Sequence, residues 1–279
     1  MSEVSRLELE HCKELAMPPG SLFEFTSRYI AADRQQQLTS LYALIQSVGS
    51  VPTAATDDSV KWTKLKWWSE ELLAEPSAAS RHPVLRALWQ SGARQKLNNA
   101  LLLQLVSDAL VQVDVAPDAN EQAMFERLAE KGETGILLEL ALDGVEIDAR
   151  ALQSLAAASG LYAMISGYSI ERQAGKLRLP LDLLAKYQLT ESQFEQDPPG
   201  AELVKAVTYL ADTGVEWFTQ SMAGLGDSAC MHLKLSWAME VRLLCRFRQN
   251  AGVILGKGSR FGPSDAWFAW RYCRKLGHS

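Results

Sequence analysis

The sequence has few of the residues that build metal or disulfide sites. Its 279 residues include four cysteines and four histidines. The cysteines are widely scattered and show no C-x-x-C spacing, which argues against a zinc site, a redox motif or a disulfide framework. We therefore expect free thiols in a reducing compartment. The four cysteines are Cys12, Cys230, Cys245 and Cys273.

Long apolar segments are also missing. No apolar run approaches the roughly 18–20 residues that a helix needs to cross a bilayer. The first 14 residues are polar and acidic, unlike a secretory signal, so we expect a cytoplasmic protein. No glycine-rich phosphate loop follows a strand, and the net charge of −5 does not favour nucleic-acid binding.

The charge is distributed unevenly. From residue 241 onward, eight lysines and arginines stand against Asp265 alone. Such a basic end suits an anionic ligand, a membrane surface or an acidic partner. The alternative is a solvated helix face that pairs with the acidic remainder of the chain. The eight basic residues are Arg242, Arg246, Arg248, Lys257, Arg260, Arg271, Arg274 and Lys275.

Eight tryptophans are many for one chain, and most of them fall in two groups. Trp62, Trp67 and Trp68 form the first group, and residues 267–272 form the second. We expect both groups to be core residues, because most tryptophans are largely buried; the alternative is that they line an apolar pocket. The second group also has basic neighbours, and a segment of that kind can rest peripherally on a membrane interface.

The dominant hydrophobic period is helical. Apolar residues from Leu38 to Val48 recur at the i, i+3, i+4 and i+7 positions of an amphipathic helix. Strand-like alternation is scarce, and residues 176–179 are the one short extended candidate. Breaks rich in proline and glycine leave about eight to ten helices. The pattern predicts an all-α fold, with one domain over 21–279 after a polar segment, 1–20.

Two helix starts can be assigned from the residues themselves. Asp57 and Asp58 precede an amphipathic segment that includes Val60, so we interpret them as a helix cap. His82 directly precedes Pro83, and we interpret it as the residue that starts the next helix. Neither position is expected to have a catalytic role.

Three stretches, in order, resemble the squalene/phytoene synthase family. Residues 21–44 contain a Ser-Leu-Phe start, an arginine in a turn (Arg34) and a Leu-Tyr-Ala-Leu segment. Residues 67–84 contain a doubled tryptophan, Glu-Leu and His-Pro-Val. Residues 175–184 read Gly-Lys-Leu-Arg-Leu-Pro-Leu-Asp-Leu-Leu, where Lys176 and Arg178 replace the family's arginine and tyrosine. The resemblance implies an isoprenoid-synthase-like helical bundle around a central cavity.

The resemblance also implies a reaction whose residues are missing here. Family enzymes join two prenyl diphosphates, and Mg²⁺ held by two Asp-x-x-x-Asp motifs neutralises the leaving group. Gly49 and Thr53 stand at the first pair of aspartate positions, and Gln46 replaces a family arginine. Gly167 and Glu171 stand at the second pair. A single carboxylate cannot hold a cluster of Mg²⁺ ions.

Three functional hypotheses follow. The first is a non-catalytic member that binds a prenyl or other lipid, or assists complex assembly, as in the mitochondrial branch of complex I assembly factors that it resembles. The second is an active prenyl-diphosphate transferase in which Glu171, Glu139 or Asp143 converges on Mg²⁺. The third is a metal-independent carrier of a diphosphate lipid, whose anionic head would be held by Arg34, Lys176 and Arg178.

The resemblance supplies eight candidate ligand-binding residues and no catalytic or metal-binding residue. No cofactor is expected unless the second hypothesis holds, in which case it is Mg²⁺. The candidates are Ser21, Arg34, Tyr42, Gln46, Tyr162, Glu171, Lys176 and Arg178.

Overall fold

The computed structural model describes residues 6–54, 57–74, 80–112, 118–173, 179–194, 196, 198–222, 231–257 and 261–276, without the side chains of 169–173, 191, 222, 256 and 257. Every regular element within these ranges is helical, which confirms the all-α prediction. The elements include fourteen α-helices and two 3-10 turns, Ser27–Tyr29 and Arg94–Lys96.

The fourteen helices follow one another with short connections. They are α1 (Arg6–Ala16), α2 (Leu22–Thr26), α3 (Ala32–Gly49), α4 (Val51–Ala54), α5 (Asp58–Leu73), α6 (Pro83–Gln90), α7 (Asn99–Val111), α8 (Glu121–Asp143), α9 (Ala149–Gln173), α10 (Leu181–Lys186), α11 (Glu191–Phe194), α12 (Ala201–Met222), α13 (Met231–Lys257) and α14 (Pro263–Leu276). The expected number of eight to ten was too low, because α2, α4, α10 and α11 have six residues or fewer and leave no clear periodicity. The extended candidate at 176–179 lies largely outside the described residues.

The two helix starts are confirmed. The Asp57 side chain caps α5 by accepting a hydrogen bond from the Ser59 backbone N–H, at 2.8 Å. His82 Nδ1 accepts from the Val84 backbone N–H at 3.3 Å, at the start of α6. Both side chains satisfy N–H groups that the first turn of a helix leaves unpaired.

Helix α8 lies between two hydrophobic clusters. One cluster is built mainly from α9, α12 and α13, and the other mainly from α1, α3, α5, α6 and α7. Ile136 and Leu140 of α8 pack into the first, whereas Leu138 and Leu142 pack into the second. Since one helix serves both clusters, any polar residue on α8 between these positions is enclosed.

Helices α8 and α9 approach each other closely at two glycines. A Cβ atom at Gly132 would lie 3.0 Å from the Ala156 carbonyl oxygen, and one at Gly160 would lie 3.1 Å from Leu128 Cβ. Both distances are tighter than ordinary van der Waals contact. The glycines therefore let the two helices pack nearly backbone to backbone, which fixes their relative position.

The first helix belongs to the second cluster. Cys12 and Ala16 of α1 are buried, and Glu8 forms an ion pair with Arg86 of α6. Burial raises the pKa of the Cys12 thiol to about 12, which keeps it protonated and unreactive. Among the described cysteines, Cys12, Cys245 and Cys273 are free thiols.

Most of the tryptophans in the two sequence groups are not core residues, so that expectation was wrong. Trp68 is buried, but Trp62 is 53% exposed, Trp267 58% and Trp270 49%. Trp62 lies on the exposed side of α5, and Trp267 and Trp270 lie on the exposed side of α14. Within the described part of the chain, no helix is both long and apolar enough to span a membrane.

Helix α14 is fixed to α13 by a buried carboxylate. Asp265 accepts hydrogen bonds from Arg242 Nε (2.9 Å), from Arg246 and from the Gly262 backbone N–H (2.8 Å). Burial alone would raise its pKa, but the hydrogen bonds from Arg246, Gly262 and Arg242 hold the pKa below its usual range. The ionised carboxylate is therefore the native form.

Replacing Asp265 with alanine should loosen α14. The change leaves Arg242 and Arg246 without their buried acceptor, and we expect a loss of about 3 kcal/mol in the free energy of unfolding. Urea denaturation measures the loss, and limited proteolysis shows whether α14 becomes accessible. Asp212→Ala is the control, because its 3.4 Å pair with Arg248 is half exposed and should contribute little. Equal losses in the two variants would contradict the assignment.

Candidate functional site

Four helices meet at one buried carboxylate, Glu139 of α8. Glu139 is fully buried, with 0% of the residue exposed to solvent. Tyr42 Oη of α3 donates to Glu139 Oε2 at 2.7 Å, and His232 Nδ1 of α13 lies 2.7 Å from Glu139 Oε1. Each carboxylate oxygen therefore has a short hydrogen-bond contact, as a buried polar group requires.

The other side of the His232 ring is also hydrogen-bonded. With the Nδ1 proton directed at the carboxylate, Nε2 faces the hydroxyls of Thr26 (3.1 Å) and Ser236 (3.3 Å). Phe23 of α2 stacks on the Tyr42 ring with centroids 4.3 Å apart, and its edge contacts His232. The apolar ring encloses the polar groups and reduces their contact with water.

One turn further along α8, a second acid is paired. Arg34 Nη2 of α3 donates to Asp143 Oδ2 at 2.7 Å and approaches the Glu139 carbonyl oxygen at 3.4 Å. Two of the predicted ligand-binding residues, Arg34 and Tyr42, thus bind the same stretch of α8. Because α3 and α8 are joined by both pairs, these side chains are committed to helix packing.

A polar stripe continues along α13. Ser236 and Glu240 follow His232 at four-residue spacing and point the same way. Ser159 Oγ of α9 donates to Glu240 Oε2 at 2.6 Å. Burial raises the pKa of Glu240 to about 8 and that of the neighbouring Tyr162 to about 12. Both groups are therefore neutral at neutral pH, and Glu240 carries a proton.

The family's first acidic positions are open and uncharged. Gln46, Gly49 and Thr53 are exposed along one side of α3 and α4. A Cβ atom at Gly49 would meet nothing within 4 Å, and the same is true of Gly167 on α9. There is room for a side chain at both glycines, but the positions themselves offer no oxygen ligand.

The remaining predicted residues divide into two groups. Ser21 has a local structural role, because its hydroxyl caps α2 by accepting from the Glu24 N–H at 3.1 Å. The side chains of Glu171, Lys176 and Arg178 lie outside the described residues. The predictions for these three therefore stay predictions.

Sequence reasoning did not identify His232, Thr26, Ser236 or Glu240. His232 is separated from Glu139 by 93 residues, and no local sequence pattern predicts the contact. The available signal was the i, i+4, i+8 placement of His232, Ser236 and Glu240 on one side of α13. The sequence did single out Glu139, since it interrupts the apolar face of α8.

The described residues do not assemble the carboxylates that a Mg²⁺ cluster needs. Over the described residues, no three histidine, cysteine, aspartate or glutamate side chains gather in a way that could hold a metal ion. Glu139, which is buried, is bound by Tyr42 and His232. Asp143, whose side chain is 30% exposed, is bound by Arg34. A divalent ion would have to displace these partners to gain carboxylate ligands.

Comparison with known proteins places the fold in a family. The family model for squalene/phytoene synthase matches residues 19–252. The chain therefore belongs to the squalene/phytoene synthase family. No curated protein matches the sequence significantly.

Solved structures share the fold at low sequence identity. A dehydrosqualene synthase solved in complex with a ligand has a TM-score of 0.71 and 12% identity, covering 98% of this chain and 96% of its own. The squalene synthase HpnC from Alicyclobacillus acidocaldarius has a TM-score of 0.68 and 16% identity, covering 89% and 95%. At these identities the likeness is one of fold.

Proposed function

We propose that this family member does not catalyse a metal-dependent prenyl condensation, and that it binds a prenyl or other lipid chain without turnover. One observation carries the proposal. Of the three acids that could replace the missing aspartates, Glu171 has a side chain outside the described residues. The other two, Glu139 and Asp143, are engaged by Tyr42, His232 and Arg34 at 2.7 Å. They act as packing groups between helices and are not free to converge on Mg²⁺.

Displacing those partners would be costly. At Glu139, which is fully buried, removing a partner leaves an unpaired polar group, which costs roughly 3–5 kcal/mol. The Arg34–Asp143 pair is partly exposed to solvent, so displacing it costs less. A hydrated Mg²⁺ ion also gives up its water shell reluctantly. Both costs oppose the active-transferase alternative.

The open positions suit a ligand of low charge. Gly49 and Gly167 have free space beside them and bring no charge to it. Arg34 is paired with Asp143, so a carrier that holds an anionic head would have to rely on Lys176 and Arg178. An uncharged isoprenoid or lipid needs no basic side chain to hold it, because burial of its apolar surface supplies the binding energy.

A role in complex assembly is the second candidate, and exposed aromatic residues on α5 favour it. Trp62 and Trp67 lie outside the core, and tryptophan is enriched at the energetic centres of protein interfaces. The doubled tryptophan is also the feature by which the sequence resembles the complex I assembly factors of this family.

Calorimetry and product analysis with two ligands test the proposal. The purified protein is mixed with farnesyl diphosphate or with uncharged farnesol, each with and without Mg²⁺. We expect metal-independent binding of farnesol and no diphosphate release above background. Gly167→Phe should weaken binding by filling the open space, whereas Ala149→Phe, on an exposed turn of the same helix, should not.

Three outcomes would contradict the proposal. Mg²⁺-dependent diphosphate release would establish the transferase alternative. Binding that is unchanged in Gly167→Phe would place the ligand elsewhere. Absence of binding to either ligand would leave complex assembly as the better account.

A further inference from the structure

The outer face of α14 combines exposed tryptophans with basic residues. Trp267 and Trp270 are 58% and 49% exposed. Arg271, Arg274 and Lys275 share this face, following the tryptophans at helical spacing. Together the five residues line an open depression of about 570 Å³. We call these five residues the α14 outer face.

The charges of this face lie against the rings. The Arg271 guanidinium carbon is 5.3 Å from the Trp267 ring centroid, and that of Arg274 is 4.9 Å from the Trp270 centroid. The one acidic residue within α14 is Asp265, which is buried on the opposite side. The α14 outer face is therefore both aromatic and positively charged.

The inner face of α14 fixes this orientation. Ala269 is fully buried against Leu235 and Met239 of α13, and Tyr29 Oη donates to the Ala266 carbonyl oxygen at 3.1 Å. Asp265 adds its bonds to two arginines of α13. The tryptophans cannot turn inward without breaking these contacts, so the folded protein presents them permanently.

We propose that the α14 outer face docks onto an anionic lipid membrane. Tryptophan rings favour the headgroup level of a bilayer, where their apolar body is buried and their N–H remains hydrated. Arginine and lysine on the same face are attracted to anionic headgroups. A second copy of the chain is a poor occupant, because a symmetric contact would set these positive charges against one another.

This proposal is independent of the proposed ligand function. Membrane docking uses residues on the outside of α14, whereas lipid binding without turnover concerns the space beside Gly49 and Gly167. Membrane docking can therefore occur without ligand binding, and ligand binding without membrane docking. Calorimetry with farnesol in the absence of vesicles reports on ligand binding alone.

Vesicle sedimentation tests the docking face. The intact protein is sedimented with sucrose-loaded vesicles of phosphatidylcholine alone or with about one third phosphatidylglycerol. We expect binding to the anionic vesicles that weakens as salt rises, since a Debye length of ~10 Å at 0.1 M falls to ~3 Å at 1 M. The Trp267→Ala/Trp270→Ala variant and the Arg271→Gln/Arg274→Gln variant should each lose about tenfold or more in partitioning.

The matched control is Trp62→Ala, which removes a tryptophan of similar exposure from α5. It should bind anionic vesicles like the wild type, and thermal unfolding should show that all variants remain folded. Equal binding of wild type and α14 variants would overturn the proposal, as would absence of binding to anionic vesicles. Equal binding to neutral and anionic vesicles would remove the role assigned to Arg271 and Arg274, and would also count against it.

Discussion

Glu139→Ala should lower the free energy of unfolding by about 3–5 kcal/mol, because it removes the acceptor at the centre of a buried polar cluster. His232 Nδ1 and Tyr42 Oη would both lose a 2.7 Å partner in a place that water does not reach freely. A cavity the size of a carboxymethyl group would remain between α3, α8 and α13. Urea denaturation monitored by circular dichroism gives the difference directly.

Two variants show whether the loss of stability comes from the buried polar cluster or from a general destabilisation of α8. Glu139→Gln keeps an acceptor oxygen and should cost clearly less than Glu139→Ala. Glu130→Ala, on an exposed position of the same helix, should stay within about 0.5 kcal/mol of the wild type. If Glu139→Ala unfolded at the same urea concentration as Glu130→Ala, the cluster would not be a stabilising element.

The second large effect is a pH dependence that Glu240→Gln should abolish. Burial raises the pKa of Glu240 from 4.5 to about 8 in the folded protein. Between these values the folded state holds a proton that the unfolded state releases, so the associated stability is complete below pH 4.5 and falls as pH rises. The slope is about 1.4 kcal/mol per pH unit. Glutamine is neutral throughout and keeps an oxygen that can accept from Ser159.

Denaturation at pH 5, 6.5 and 8 measures this dependence. As the pH is raised, the free energy of unfolding of the wild type should fall relative to that of Glu240→Gln. The difference between the two proteins should be largest at pH 8. Glu216→Gln, at an exposed position of α12, should follow the wild-type curve. Parallel curves for the wild type and Glu240→Gln would show that Glu240 is ionised in the folded protein.

Local patterns were sufficient to predict much of the fold. Periodicity located α3, because an amphipathic helix repeats its apolar face within a short window. Asp57 and His82 were identified as helix starts, because capping involves residues only two or three positions apart. The short helices were missed for the same reason, since one turn is too brief to show a period.

The site depends on contacts that no local pattern contains. Glu139 and His232 meet because α8 and α13 fold against the same neighbours, and this is a property of the tertiary structure. The exposure of Trp267 and Trp270 was likewise mispredicted from the general tendency of tryptophan to be buried. The side of α14 that faces inward is determined by Asp265 and its two arginine partners. The amino-acid composition of α14 does not contain this information, and it favoured burial of the tryptophans.

The space beside Gly49 and Gly167 has a consequence for redesign. A side chain introduced at either glycine would displace no neighbour, and replacing a helical glycine also relieves a backbone penalty of up to about 1 kcal/mol. Aspartates can therefore be introduced at Gly49, at Gly167 and at the exposed Thr53 without repacking the core, so carboxylate side chains are sterically allowed at all three positions.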